Sequence, residues 1–283
     1  MPPRGSSTVR RRRLGAELRR LRDNAHLTID SVAKALECSD SKISRIENGQ
    51  VGATPRDVRD MLALYGVSNQ RRDELVKLAR EAREKGWWRA FGDLPGSSHV
   101  SFDAVASSVQ VYQALLVPGL LQTAAYARAV IGAVAPELPP EEVERRVEFR
   151  MTRQRERLAM EEPPALWALL DEAVLRRPAG GREVMREQLT RLVEAAAQPT
   201  VTLQVVPFAG GVHAGVDGSF TLFTFPDPAD PDVVYFEYHT RESAIEDAEE
   251  VVQYRRAFER LREAALTPEE STDLLATMAK RGR

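Results

Sequence analysis

The stretch Thr28–Gly49, TIDSVAKALECSDSKISRIENG, decides the first half of the fold. Its apolar residues recur at helical spacing in two short runs, Val32, Ala33 and Leu36 in the first and Ile43 and Ile46 in the second, with Glu37-Cys38 turning the chain between them. Thr28 is placed as an N-cap with Asp30 in the first turn, Ser39 as the next cap, and Asn48-Gly49 as the stop, glycine suiting a left-handed cap. At about 100° per residue, Ser41, Ser44, Arg45 and Asn48 point away from Ile43 and Ile46, with Asp40 and Lys42 on the flanks. A short rod with such a hydrogen-bonding face fits the DNA major groove, where base edges present a readable pattern of donors and acceptors.

Working outward, Leu14, Leu18, Leu21 and Ala25 predict a helix over 14–25 in front of this pair. Behind it, Thr54-Pro55 opens a fourth helix with Val58, Met61, Leu62 and Tyr65 inward. A fifth runs over 68–85 with Leu75, Leu78, Ala79 and Ala82 inward. Residues 14–85 therefore read as a compact five-helix domain, preceded by a basic arm over 1–13 that carries Arg10, Arg11, Arg12 and Arg13. Two readings of the arm stay open: a segment touching phosphate or the minor groove, or a solvated tail.

Charge supports a polyanion partner. The chain as a whole carries −2, yet its first 85 residues hold 19 Lys and Arg against 12 Asp and Glu, and the acidic excess lies entirely beyond them. Clustered positive charge releases condensed counterions when it neutralises phosphates. Cys38 is the lone cysteine, so no intrachain disulfide is expected; it reads as a small residue in the turn or, less simply, a redox sensor. No apolar run approaches the roughly 20 residues that span a bilayer, and MPPRGSSTVRRRR has no apolar segment behind its arginines, so neither a membrane span nor a secretory signal is expected. The expected location is cytoplasmic, on the nucleoid.

Leu18, Leu21-Arg22, Leu27-Thr28, Val32-Ala33, Ser39, Ile43-Ser44 and above all Arg45-Ile46-Glu47-Asn48-Gly49 resemble the Cro/cI-type (XRE) helix-turn-helix family over residues 14–66. The resemblance implies a structural ion pair between Arg22 and Glu47. It also implies base reading from Asp40, Ser41, Lys42, Ser44 and Arg45, with Asn48 and the loop after it on phosphate. Where the family carries Gln after the cap of helix two, this chain has Ile29. Arg10–Arg13, Arg19 or Lys34 would have to replace that phosphate anchor. Asp40 either accepts from cytosine N4 or simply favours the helix N-terminus.

Residues 86–101, GWWRAFGDLPGSSHVS, read as a linker rich in Gly, Pro and Ser, in which Trp87-Trp88 pins the connector or stacks on nucleic acid. Residues 102–283 read as an α+β domain with a small mixed or antiparallel sheet. Phe102, Val105 and Val109 predict a helix running on through VYQALLV to Pro118-Gly119. Helices follow over 123–133 and 139–160, then a strand at Leu166–Leu170, a helical turn at Asp171–Arg176 and a helix around Val184–Ala196. Period-two alternation marks strands at 201–206, 219–225 and 233–238, with the glycine-rich loop 209–218 among them, and helices from Ile245 and from Pro268 complete the chain.

Pro118–Thr123 (PGLLQT), Arg153-Gln154, LLDEAVLRRP at 169–178, TLQVVPF at 202–208 and HAGVDGSF at 213–220 resemble an actinobacterial group of WhiJ-like regulators, in which an XRE helix-turn-helix precedes an antitoxin-like C-terminal domain. The resemblance implies a transcriptional regulator of development or antibiotic production, paired with a small acidic protein encoded nearby. It supplies no catalytic residues.

Chemistry is sparse elsewhere. His26, His99, His213 and His239 show no metal-ligand spacing, Ala209–Gly218 lacks the phosphate-cradling pattern, and no nucleophile elbow occurs. His213 near Asp217 and His239 near Glu237 read either as a loop site or as ordinary loop residues; Asp171-Glu172 reads as a cap and a first-turn acid rather than a catalytic pair. No metal, cofactor or enzymatic activity is expected. The sequence thus points to a mainly α, DNA-binding transcriptional regulator, acting as a homodimer on an inverted repeat, whose C-terminal domain senses a partner protein or a small-molecule effector. The alternative is an antitoxin-like module that neutralises a small cognate partner and autoregulates its operon.

Overall fold

The computed structural model describes residues 7–83, 91, 97–158, 160–228, 230–239 and 241–281. Trp87-Trp88 and most of the expected linker lie outside the described residues. The chain divides into two units, Met1–Ala90 and Phe91–Arg283.

The first unit holds five helices among its described residues: α1 (Ser7–Asn24), α2 (Ile29–Ala35), α3 (Asp40–Glu47), α4 (Pro55–Leu64) and α5 (Asn69–Glu81). Each buries an apolar stripe in one core that includes Leu14, Leu18, Val32, Ile43, Ile46, Val58, Met61, Leu62 and Leu75. The starts of α2 and α4 are fixed by reciprocal capping boxes, Thr28 with Ser31 and Thr54 with Asp57, and Ser39 accepts from the Lys42 N–H at the start of α3. The stops are equally local. His26, Glu37, Gly49 and Gly66 are all left-handed, with φ of 56°, 52°, 66° and 70°. At Glu37 the Cys38 N–H donates to the Ala33 carbonyl and the Glu37 N–H to the Lys34 carbonyl, which is a Schellman closure of α2. Cys38 then packs half-buried against the core, so it acts as the apolar contact of that closure.

The arm expected over 1–13 is corrected: α1 begins at Ser7, so Arg10–Arg13 are helical and half-buried rather than a solvated tail. The physical reason is a close helix crossing. A Cβ on Gly49 would lie 2.8 Å from the Arg12 Cα, and one on Gly15 would lie 2.5 Å from the Ile46 carbonyl oxygen. The backbone of α1 therefore rests directly on the C-terminal end of α3.

The second unit is built on a six-stranded mixed sheet of order β3-β2-β1-β4-β5-β6. Its strands are β1 (Ser108–Gln113), β2 (Ala165–Asp171), β3 (Val201–Val206), β4 (Phe220–Thr224), β5 (Val233–Glu237) and β6 (Glu242–Ile245). β1, β2 and β3 are parallel neighbours, and β4, β5 and β6 continue antiparallel from β1. The helices are α6 (Ser97–Asp103), α7 (Ala124–Val134), α8 (Pro140–Leu158), α9 (Glu172–Arg176), α10 (Arg182–Ala196), α11 (Ala248–Ala264) and α12 (Pro268–Arg281). On one face of the sheet Tyr112, Leu169, Val206, Phe220, Leu222 and Val234 meet Val251, Phe258 and Leu261 of α11. On the other face Phe102 of α6 stacks on Phe223. The free edge of β3 is capped: the Leu266 N–H donates to the Val205 carbonyl, and the Val205 N–H donates to Ser271 Oγ in α12.

The expected helix through Val109 is also corrected. SVQVYQ is the central strand β1, and its alternation of Val109 and Val111 with Ser108 and Gln110 is a period of two that the long apolar run behind it masks. Ile245 likewise ends strand β6, and α11 starts only at Ala248, where Asp247 accepts from the Glu249 and Glu250 N–H groups.

Candidate nucleic-acid interface

α3 presents two unlike faces because its apolar residues are three apart. Ile43 and Ile46 are buried, whereas Asp40, Ser41, Arg45 and Asn48 are exposed and Lys42 and Ser44 are half-exposed. Arg45 Nε donates to the Ser41 carbonyl at 3.1 Å, which lays the guanidinium along the outer surface of the helix. Asn48 Nδ2 donates to Ser44 Oγ at 3.3 Å. Ser41, Ser44, Arg45 and Asn48 thus form one continuous polar ridge.

Lys42 departs from that ridge. Its Nζ donates to Asp57 Oδ1 at 2.7 Å, tying α3 to the first turn of α4. Burial pushes the Asp57 carboxyl up, but the bonds from Lys42 and Thr54 outweigh it and hold the group below the usual carboxylate range, while the same bond raises Lys42. Asp40 occupies the first turn of α3, where its charge favours the helix N-terminus. Arg19 is exposed on α1. Ile29, at the position where a glutamine was expected, packs against the core instead of facing outward. Lys34, a candidate replacement anchor, pairs with Asp30 at 2.9 Å on the surface of α2.

Behind the ridge, Arg22 and Glu47 fix the angle between α1 and α3. Arg22 Nε meets Glu47 Oε1 at 2.8 Å and Arg22 Nη2 meets Oε2 at 2.9 Å, with the side chains 9% and 3% exposed. The remaining amine, Nη1, donates to the Leu27 carbonyl at 2.8 Å, so one guanidinium serves two elements and the loop after α1. The hydrogen bonds that Arg22 donates to Glu47 raise it above its ordinary value, and burial pushes the adjacent Tyr65 phenol up.

In the second unit the structure brings together residues that sequence reasoning kept apart. His213 pairs with Asp171, not with Asp217: Nε2 lies 3.1 Å from Asp171 Oδ2, while Nδ1 accepts from the Gly215 N–H at 3.2 Å. Because Nδ1 accepts, Nε2 carries the ring proton and donates it. Tyr112 reaches the same carboxylate at 3.5 Å. Asp171 also accepts from the Ala173 N–H as the cap of α9, and Glu172 accepts from the Phe208 N–H. The sequence signalled both halves separately, His213 as a candidate loop residue and Asp171 as a helix cap, but not their pairing, because they lie about forty residues apart in the chain.

Comparison with known families agrees with this division. A helix-turn-helix domain family matches residues 13–75, which supports a DNA-binding regulator. Residues 97–277 match a domain of unknown function, DUF5753, and since that match covers more than half of the sequence the protein belongs to this family. No curated protein and no solved structure matches the chain. Among the described residues, no helix is long and apolar enough to cross a membrane.

Proposed function

We propose that the protein is a sequence-specific transcriptional regulator rather than an enzyme, binding an inverted repeat as a homodimer with half-sites about 34–36 Å apart. The observation that carries the reading is the ridge on α3, in which Ser41, Ser44, Arg45 and Asn48 face outward from a helix whose opposite side is locked into the core. Arg45 is the reader of a base edge, and Asn48 and the loop after it contact phosphate. The second unit is the dimerising and sensing part, taking a partner protein or a small ligand. His213, Asp171 and Tyr112 hold a loop in place rather than perform chemistry, since both imidazole nitrogens are already engaged.

Genomic footprinting recovers the site and its symmetry, and titration of that site with Arg45→Ala tests the role of the ridge. The expected result is a loss of about 1–3 kcal/mol confined to the cognate sequence, with discrimination at one base pair relaxed. An equal loss on all sequences would make Arg45 a phosphate contact, and no loss would remove α3 from the interface.

A further inference from the structure

The three parallel strands end at one edge of the sheet, at Gln113, Asp171 and Val206. β1 continues to β2 on one side, whereas β3 connects back to β4 on the other side of β1, so the chain changes direction across this edge. In open sheets with parallel strands, such a crevice at the carboxyl ends is where ligands bind. Here the β3–β4 connection, residues 207–219, crosses the ends of β2 and β1 as a strap. His213 ties it to Asp171 of β2, and Gly215 lies so close to Tyr112 of β1 that a Cβ would meet the ring at 2.3 Å. Ser219 Oγ accepts from the Ala114 N–H beyond β1.

Under the strap is a cleft of about 330 Å³ lined by Val206, Val212, His213, Ala214, Arg260 and Ala264. The volume lies at the small end of the range for ligand clefts. The lining side chains are apolar apart from two, and the backbone of Gly210 and Gly211 adds polar surface at the rim. His213 has both nitrogens engaged, which leaves Arg260 as the polar side chain open to a guest. Of the other arginines of α11, Arg255 pairs with Asp232 and Arg262 with Glu259, whereas Arg256 is exposed like Arg260 but does not line the cleft. Arg260 is exposed and makes no ion pair or hydrogen bond among the described residues. A permanently charged, unpaired guanidinium beside an apolar cleft selects an anionic group, and carboxylate matches its fork. Of the lining residues the strap exposes Val212, so a guest with an apolar body gains contact there.

We propose that this cleft binds a small organic acid, an apolar body seated against Val206 and Val212 with its carboxylate on Arg260. The proposal rests on the reading of the second unit as a sensor and gives that sensor a ligand class and a site.

The test uses the full-length protein, with octanoate and phenylacetate as probes and octanamide and phenylacetamide as their uncharged counterparts. Binding is followed by saturation-transfer NMR and quantified by equilibrium dialysis. The expected result is that an acid binds at least ten-fold more tightly than its amide. Arg260→Ala brings the acid down to the level of the amide, and Ala264→Trp, a change at an exposed position, removes both. The proposal is overturned if no acid binds, if acid and amide bind alike, or if Ala264→Trp still binds the acid. Titrating the footprinted DNA with and without saturating acid separates the two claims. Acid binding through Arg260 with unchanged DNA affinity leaves the site standing and refutes the sensing role. Failure of every acid, with the Arg45→Ala result intact, refutes the cleft alone.

Discussion

The guanidinium of Arg22 in α1 closes on the carboxylate of Glu47 at the end of α3 through two parallel hydrogen bonds, both buried. Removing one partner leaves a charge in the core without its counterpart. Arg22→Ala or Glu47→Ala is therefore expected to cost about 3–5 kcal/mol of folding stability, followed by urea denaturation with helical circular dichroism. A double replacement, Arg22→Met with Glu47→Leu, should lose clearly less than either single change. Single variants within 1 kcal/mol of the parent would show that the pair is not what sets the α1–α3 angle.

Glu37 closes α2 in a left-handed conformation at φ 52°, which an L side chain adopts at a cost. Glu37→Gly should stabilise the first unit by about 1 kcal/mol, because the Schellman bonds need only the backbone. A melting temperature that falls would contradict this.

Gly15 and Gly49 are the two places where α1 and the end of α3 touch backbone to backbone. Alanine at either position should cost about 2 kcal/mol or more, and at Gly49 the positive φ of 66° adds strain to the clash. Because α3 must move to accommodate the methyl, DNA affinity should fall along with stability. Full affinity retained in Gly15→Ala would mean that the crossing can open without disturbing the ridge.

Glu17 accepts from Arg20 at 2.8 and 2.9 Å and from Arg71 at 2.9 Å. The bond from Arg20, reinforced by Arg71 against the opposing effect of burial, lowers its pKa from the ordinary 4.5 to about 2. A carboxyl depressed in the folded state contributes stability that is complete above about 4.5 and lost as pH falls toward 2. Glu17→Gln should flatten the decline of stability across that window, by an amount of order 1 kcal/mol because the group is partly solvated. An unchanged acid limb in urea titrations from pH 5 to pH 2.5 would rule this linkage out.

Much of the first unit was legible in the sequence, because its determinants are local. The stripe Val32, Ala33, Ile43 and Ile46 and the caps Thr28, Ser39 and Thr54 act within a few residues of themselves, so spacing alone locates α2, α3 and α4. The position of α1 was misjudged at its start for the opposite reason. Four arginines in a row read as an arm outside the fold, whether solvated or on phosphate, and only the approach of Gly49 to Arg12 shows that the helix packed on the core includes them. The ridge residues were likewise readable from period, but the turn of Lys42 toward Asp57 was not, since that bond joins two helices.

What the sequence by itself determined is the pair of short helices with one apolar and one polar face, the stops around them, and the switch to period-two strands after Val201. These depend on side chains that act on their own backbone. Tertiary structure alone decided that SVQVYQ becomes the central strand, that the β3–β4 connection straps the carboxyl edge, and that His213 meets Asp171 with Arg260 left open beside a cleft. Contacts between residues distant in the chain gain their energy only after the sheet has ordered the ends that make them, so no local pattern announces them.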